Sequence, residues 1–400
     1  MHRYPLLALV AITLSACQDA VAPSPQTEVP TPHLSVASGS DGAPEPIAGK
    51  YIVVFKDGVR DVPGLARSLA GANGGTVRFT YQRALRGFAA DLPDRAAAAL
   101  ARNPNVAYVE QDQVMHAFTT EANATWGIDR IDQHNLPLST TYNYTNTGAG
   151  VTAYIIDTGI RFDHSEFGGR AVTGFDAVTS GGNAADCNGH GTHVSGTVGG
   201  ATYGVAKGVS LVAVRVLGCN GSGSTSGVIA GIDWVTSHHQ SPAVANMSLG
   251  GSASTALDNA VKNSITSGVA YAIAAGNGNF IGIAQDACKY SPARVAEAMT
   301  IGATDKTDRK ASWSNYGNCV DWFAPGVSIT SAWYTSTTAT NTISGTSMAT
   351  PHTTGVAALY LQTNPGASPQ QVRDALYANT TKGVVTSSKT TNNHLLFTSY

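Results

Sequence analysis

The spacing of apolar positions changes several times along the chain. Residues 50–55, KYIVVF, form a short strand-like run, and residues 62–72 carry apolar positions at helical spacing. Strand-like runs come next at 76–81 and 87–92, then a helical pattern at 93–102 and a strand at 106–110. The order β-α-β-β-α-β predicts a small ferredoxin-like α+β unit of roughly 70 residues. A loose segment, HAFTTEANAT, separates it from the larger remainder of the chain. From Trp126 onward the runs VTAYIIDTG, LVAVRVLG, AVANMSLGG, GVAYAIAAGN and AMTIGATD are almost wholly apolar and end in small or polar residues. Helical patterns such as SGVIAGIDWVTSHH and STALDNAVKNSITSG lie between several of them. This alternation predicts an α/β domain of three layers, a parallel sheet with helices on both faces. Ligands of such sheets gather at the carboxyl ends of the strands.

Composition narrows the function. With 24 basic and 26 acidic residues in 400 and no basic run, nothing points to a nucleic-acid partner. The beginning, MHRYPLLALVAITLSAC, has one Arg, an apolar stretch at 6–14 and then small residues. That stretch is too short for a permanent membrane span and reads as an export signal over residues 1–17. Its end resembles a bacterial lipoprotein box, with Cys17 as the lipidated residue tethering the precursor. The alternative is an ordinary signal peptide in which Cys17 is incidental. Residues 18–46, rich in Pro, Ser and Thr, read as a solvated linker. Apart from Cys17 there are Cys187, Cys219, Cys288 and Cys319. An even number in an exported chain suggests two disulfides, with three pairings open.

The stretch NGHGTHVSG sets His190 and His193 three residues apart among glycines. Two imidazoles at that spacing suggest a shared metal, but the glycines oppose a helix interior and helical zinc pairs usually take other spacings. Asp157 closes the strand-like AYIID, where a carboxylate is either a turn cap or part of a site. Ser347, in SGTSMATPH, stands where a helix begins, a common place for a plain N-cap. Together the three supply a nucleophile, a base that takes its proton, and a carboxylate that holds the base. Their order along the chain, Asp, His, Ser, is that of subtilisin.

The motifs YIIDTGI, NGHGTHVSGT and GTSMATPH resemble the active-site motifs of subtilisin-like serine proteases. GCNGSGSTSGVIAG, NMSLGG, YSPARVAEA and SWSNYGNCVD are similar to the proteinase K and aqualysin branch. The resemblance covers about residues 126–400, giving a catalytic domain at 125–400, and residues 47–118 resemble the inhibitory propeptide of the family. It implies Asp157, His190 and Ser347 as the triad and Asn277 as an oxyanion donor. Gly221, Ser222 and Gly223 with Ser248, Leu249 and Gly250 would flank an extended polypeptide substrate. Ala274, Ala275 and Gly276 would floor an apolar S1 pocket, beside a stretch at 277–288 about five residues longer than in aqualysin-like enzymes. The resemblance also implies the pairs Cys187–Cys219 and Cys288–Cys319. It implies structural calcium held by Asp321 with the carbonyls of Ala296 and Ala298, and by Asp129, Asp132 and Gln133. His193 is left to packing, and no catalytic cofactor is expected. The expected product is a secreted, monomeric serine endopeptidase of broad specificity, inhibited by its own propeptide until a cut between about 115 and 126. A catalytically dead peptide-binding relative would lack one of the four site residues, and none is missing. An esterase or lipase would carry G-x-S-x-G around its serine, and Ser347 does not.

Overall fold

The computed structural model describes residues 34–35, 46–113, 119–279 and 281–400. The export signal, Cys17, most of the linker and the first part of the expected processing segment lie outside the described residues. The chain divides into a smaller N-terminal unit and a larger one comprising mainly Met115–Tyr400.

In the smaller unit the strands are Pro46–Phe55, Thr76–Tyr81, Gly87–Asp91 and Val106–Gln113, with helices α1 (Val62–Ala72) and α2 (Asp94–Leu100). The four strands pair antiparallel in the spatial order fourth, first, third, second. That is the ferredoxin-like topology expected from the pattern. Leu34–Ser35, within the expected linker, adds a short parallel pairing at the outer edge. Asp61 caps α1 by accepting from the Gly64 N–H (2.9 Å). Val53, Phe88, Ala97, Val106 and Val109 are fully buried in its core.

The larger unit is built on seven strands, all parallel. Their spatial order is Trp322–Pro325, Met299–Thr304, Ala270–Ala274, Ala243–Met247, Thr152–Asp157, Ser210–Arg215 and Ala171–Asp176. The chain fills one side of the Thr152–Asp157 strand, then crosses to the other, so Asp157 ends at the switch point of the sheet. A crevice opens there because the crossovers diverge to opposite faces. Helix α3 (Trp126–Ile131) precedes the sheet. Helices α4 (His190–Gly199), α5 (Thr225–His238) and α6 (Thr255–Thr266) lie between its strands in chain order, and α7 (Thr346–Thr363) and α8 (Pro369–Asn379) follow the last of them. Strand side chains alternate between two cores. Ala153 and Ile155 pack toward the α4–α7 side, while Tyr154 and Ile156 pack toward α5 and α6. The pattern missed the two edge strands, Ala171–Asp176 and Trp322–Pro325. The first carries Gly174 and polar residues, and the second is four residues ending in proline, so neither gives the long apolar run of a central strand.

Helix α7 is buried along most of its length although it is rich in threonine. Small residues allow its close approach: a Cβ on Gly355 would lie 2.5 Å from Val205. The hydroxyls are satisfied inside the protein, as by Thr350 donating to the Thr346 carbonyl (2.8 Å) and Thr353 accepting from Trp322 Nε1 (3.1 Å).

Candidate active site

Asp157 is fully buried at its strand end, and His190 opens α4. His190 Nδ1 donates to Asp157 Oδ1 (2.8 Å), which also accepts the Thr158 N–H (2.7 Å). This bond fixes the tautomer and leaves Nε2 as the proton acceptor. Asp157 Oδ2 is buried without a partner. Burial alone lowers the His190 pKa, but the charge and hydrogen bond of Asp157, with the charge of Asp186, outweigh it and raise it above 6.5. The neighbouring glycines admit the protein itself. Gly189 has φ +109°, and a Cβ there would meet Trp333 at 2.5 Å; one on Gly191 would meet the Gly159 carbonyl at 2.2 Å.

His193 is fully buried, and its Nε2 hydrogen-bonds the Ile329 carbonyl (3.0 Å). Burial holds its pKa down at about 4. Among the described residues no three His, Cys, Asp or Glu side chains converge as a metal cluster. The His193 ring also meets Trp333 edge-on, with 6.3 Å between centroids.

Ser347 stands in the first turn of α7. No hydrogen bond joins it to His190; its Oγ donates to the Ser248 carbonyl (3.0 Å). The Ser347 carbonyl has lost its usual helical donor, because residue 351, four positions on, is proline. Ser248 Oγ donates to that carbonyl instead (2.8 Å). Ser248 in turn accepts from Asn246 Nδ2 (2.9 Å), and Asn246 Oδ1 accepts from Thr354 Oγ1 (2.9 Å). This buried chain from α7 to the adjoining strand fixes the backbone under the nucleophile. The sequence contains its signal, a proline four residues after Ser347, but not its partners.

Asn277 Oδ1 accepts both the Thr346 N–H (2.8 Å) and Thr346 Oγ1 (2.9 Å). Those two donors identify Oδ1 as the amide oxygen and leave Nδ2 free beside Gly345. The Ser347 N–H, at the start of α7, is also without an acceptor among the described residues. Two open donors thus stand at the nucleophile, as stabilisation of an oxyanion requires. Thr346, missed in the sequence, orients Asn277.

Two cavities flank these groups. One of 390 Å³ is lined by His190, Gly221, Ser222, Gly223, Ser248, Leu249 and Gly250. Among the described residues no turn or loop backbone hydrogen bond is made by Gly223 or Gly250. The other, of 360 Å³, is lined by Ala274, Ala275, Gly276, Asn277, Asn315 and Ser347 among others. Gly276 has φ +100°, and a Cβ there would strike Asn315 Nδ2 at 2.5 Å. The Asn315 side chain binds the Ala275 carbonyl (2.8 Å) and the N–H groups of Gly278 (3.1 Å) and Gln285 (2.8 Å). Beyond Asn277, Asn279 Oδ1 accepts from the N–H groups of Ile281 (3.2 Å) and Ile283 (3.0 Å). Neither isoleucine lines the pocket; both are more than half exposed.

Cysteine sulfurs join as Cys187–Cys219 and Cys288–Cys319, the pairing the resemblance implies. The residues proposed for calcium differ in fit. Asp129 Oδ1 accepts twice from Ser139, and its Oδ2 accepts once, from the Thr140 N–H (2.8 Å). Asp132 Oδ2 accepts twice from Asn143, but its Oδ1 is buried and unpaired. Burial, opposed by the Asn143 bonds and assisted by the Asp129 charge, raises the Asp132 pKa to about 6. Gln133 bonds the Asn135 and Pro137 carbonyls nearby. An orphaned carboxylate oxygen beside a second carboxylate fits a hard cation. Asp321 does not: its oxygens are taken by the Thr300 N–H (2.7 Å) and the Arg373 guanidinium (2.5 Å), which already balances its charge. Ala296 and Ala298 lie just before the Met299–Thr304 strand, with Ala298 buried.

The chain matches the subtilase family, Peptidase S8, over residues 148–396 and the peptidase inhibitor I9 family over residues 50–118. It is 54% identical to an extracellular serine proteinase of Thermus sp. (strain Rt41A), over 98% of each chain. It is 49% identical to alkaline serine exoprotease A of Vibrio alginolyticus, over 88% of this chain and 67% of that one. A crystal structure of a cold adapted subtilisin-like serine proteinase superposes with a TM-score of 0.67 at 56% identity. That match covers 69% of this chain and 98% of the other. A strand ending at a buried aspartate, a base bonded to it and a serine at a helix start are thus found in a chain that belongs to the subtilase family of serine proteases, with an I9-type inhibitor segment ahead of its catalytic domain.

Proposed function

We propose that the chain is an exported, self-activating endopeptidase that cleaves polypeptides through an acyl-enzyme formed on Ser347. The observation that carries this reading is the His190–Asp157 pair at one cavity and two unengaged donors, Asn277 Nδ2 and the Ser347 N–H, at the next, the two cavities sharing the wall from Leu249 to Ser252. For attack, the Ser347 hydroxyl turns from the Ser248 carbonyl to His190 Nε2 and gives up its proton. Oγ then bonds to the scissile carbonyl carbon, and the oxyanion accepts from Asn277 and the Ser347 N–H. His190 returns the proton to the leaving amine as the C–N bond breaks. Water repeats these steps to release the acid.

A substrate strand lying between Gly223 and Gly250 would be held by main-chain bonds, which supports broad specificity. The pocket of small residues at Ala274–Gly276 supports an apolar P1 side chain. Ile281 and Ile283, both exposed, do not line that pocket. Calcium, held by Asp132 with Asp129 and Gln133, would supply charge compensation to the fold and take no part in catalysis.

Self-processing belongs on the N-terminal side of Thr119. Strand Thr119–Ala122 pairs with Thr141–Tyr144 in the larger unit, and Glu121 lies 2.6 Å from Lys207. A cut after these residues would remove that pairing from the mature enzyme, so they support a catalytic domain beginning earlier than residue 125. The inhibitor segment would block the site until then, and a lipid on Cys17 would stay with it. The extracellular character of the Thermus relative supports release to the outside. The test is N-terminal sequencing of the secreted form, with hydrolysis of peptides carrying Phe, Leu, Ala, Glu or Lys at P1. A start at or before Thr119 and a preference for Phe and Leu are expected; a later start, or preference for charged P1, contradicts the reading.

A further inference from the structure

Asp186 opens the turn that leads into α4, and its half-buried carboxylate takes five donors. Oδ1 accepts from Thr158 Oγ1 (2.9 Å), the Asn188 N–H (2.9 Å) and the Gly189 N–H (3.0 Å). Oδ2 accepts from the Thr192 N–H (3.0 Å) and Thr192 Oγ1 (2.6 Å). Gly189, the N-cap of α4, has no side chain to offer, so Asp186 takes an N–H of the first turn that a cap would normally satisfy. Thr158 directly follows Asp157, and its Oγ1 also accepts the Gly191 N–H (2.8 Å). Asp186 and Thr158 therefore clamp the strand end bearing Asp157 to the helix turn bearing His190.

We propose that Asp186 is a positioning residue for the general base, setting the approach of His190 to Asp157 and placing a second negative charge where the imidazolium forms. The proposal rests on the protease reading, whose own failure would show separately as peptide hydrolysis surviving Ser347→Ala. The charged and titratable groups around His190 are few. Asp157 faces it from the strand end and Asp186 from the turn. His193, on the same helix, is held neutral near neutral pH, with a pKa of about 4, by burial. Arg215, on the adjoining strand, is directed to Asp176 (3.3 Å) and the Cys187 sulfur (3.1 Å). Against the lowering caused by burial, Asp157 dominates the rise in the His190 pKa and the Asp186 charge adds to it.

The test is the pH profile of kcat/KM for the full chain after maturation. Asp186→Asn removes one charge and should move the acid limb down by about 0.5 to 1 pH unit, with kcat on the plateau about tenfold lower. Thr192→Val breaks a strut but keeps the charge; it should lower kcat and leave the limb in place. An Asp186→Asn limb that stays at the wild-type position overturns the electrostatic role, and an unchanged kcat overturns the positioning role. Should Asp186→Asn fail to mature, Asp186→Glu carries the test. Its charge is retained but displaced, so kcat should fall while the limb moves by less than about 0.3 on the pH scale. A limb displaced as far as expected for Asp186→Asn, or wild-type kcat, would contradict the proposal.

Discussion

At the scale of single residues, chemistry was legible where a side chain has few alternative uses. Asp157, His190, Ser347 and Asn277 stand out because their motifs are long and ordered, and the structure sets the His190–Asp157 pair at one cavity and Ser347 with Asn277 at the adjoining one. The residues that orient them were not legible. Thr346, Thr158 and Asp186 are ordinary turn residues by type, and only the folded backbone shows what they hold. Asn277 illustrates the division of work: Thr346 fixes one end of its amide, and the other end takes no bond from the described residues. Asn277→Ala removes a donor that matters mainly in the transition state. The expected result is a fall in kcat of about 10²–10³, or ~3–4 kcal/mol, with a smaller change in KM. Steady-state kinetics on a soluble peptide checks it, and an unchanged kcat removes Asn277 from the mechanism.

At the scale of elements, helix α7 shows how a polar sequence becomes a buried support. Its pattern predicted a helix, but the reason for its threonines is visible only in contact with the sheet. Thr354→Val would leave Asn246 Oδ1 without its donor, costing about 1–3 kcal/mol in stability. It should also lower kcat more than it raises KM, because the chain through Ser248 ends on the nucleophile's backbone. Thr354→Ser, which keeps the hydroxyl, should restore both; failure of that rescue points to packing alone. The pair of helices α4 and α7 also carries a pH response. His193 and His352 are buried, and burial lowers each pKa to about 4. Unfolded histidines titrate near 6.5, so between there and 4 the unfolded chain takes up protons that the native state refuses. Stability from these two groups is full above pH 6.5 and falls toward pH 4, by up to about 3 kcal/mol each. His190 acts oppositely: its raised pKa stabilises below 6.5, and that contribution is lost as pH rises through the folded value. Melting curves from pH 7 to 4 should show a smaller loss in His352→Leu than in wild type. Parallel losses would show that His352 is not the titrating group.

At the scale of the whole molecule, the sequence showed a small α+β unit followed by a parallel α/β domain, and both are present. The order of the seven strands was not legible, because apolar runs announce burial without saying which neighbour buries them. The active site depends on that order, which puts Asp157 at the switch point. The resemblance supplied the disulfide pairing where composition had left three options. Its calcium ligands divide, since Arg373 already neutralises Asp321 while Asp132 keeps an unpaired oxygen. Excess calcium should therefore raise the melting midpoint relative to EDTA through mass action, and Asp132→Asn should abolish the difference. A difference that persists in Asp132→Asn places the ion elsewhere. The central claim, that one serine performs both substrate hydrolysis and maturation, is tested most directly by the mass of the Ser347→Ala chain made in a protease-free host. The expected product is an uncut precursor, inactive on peptides, beside a wild type that is processed and active. A Ser347→Ala chain of mature size from that host would contradict the claim.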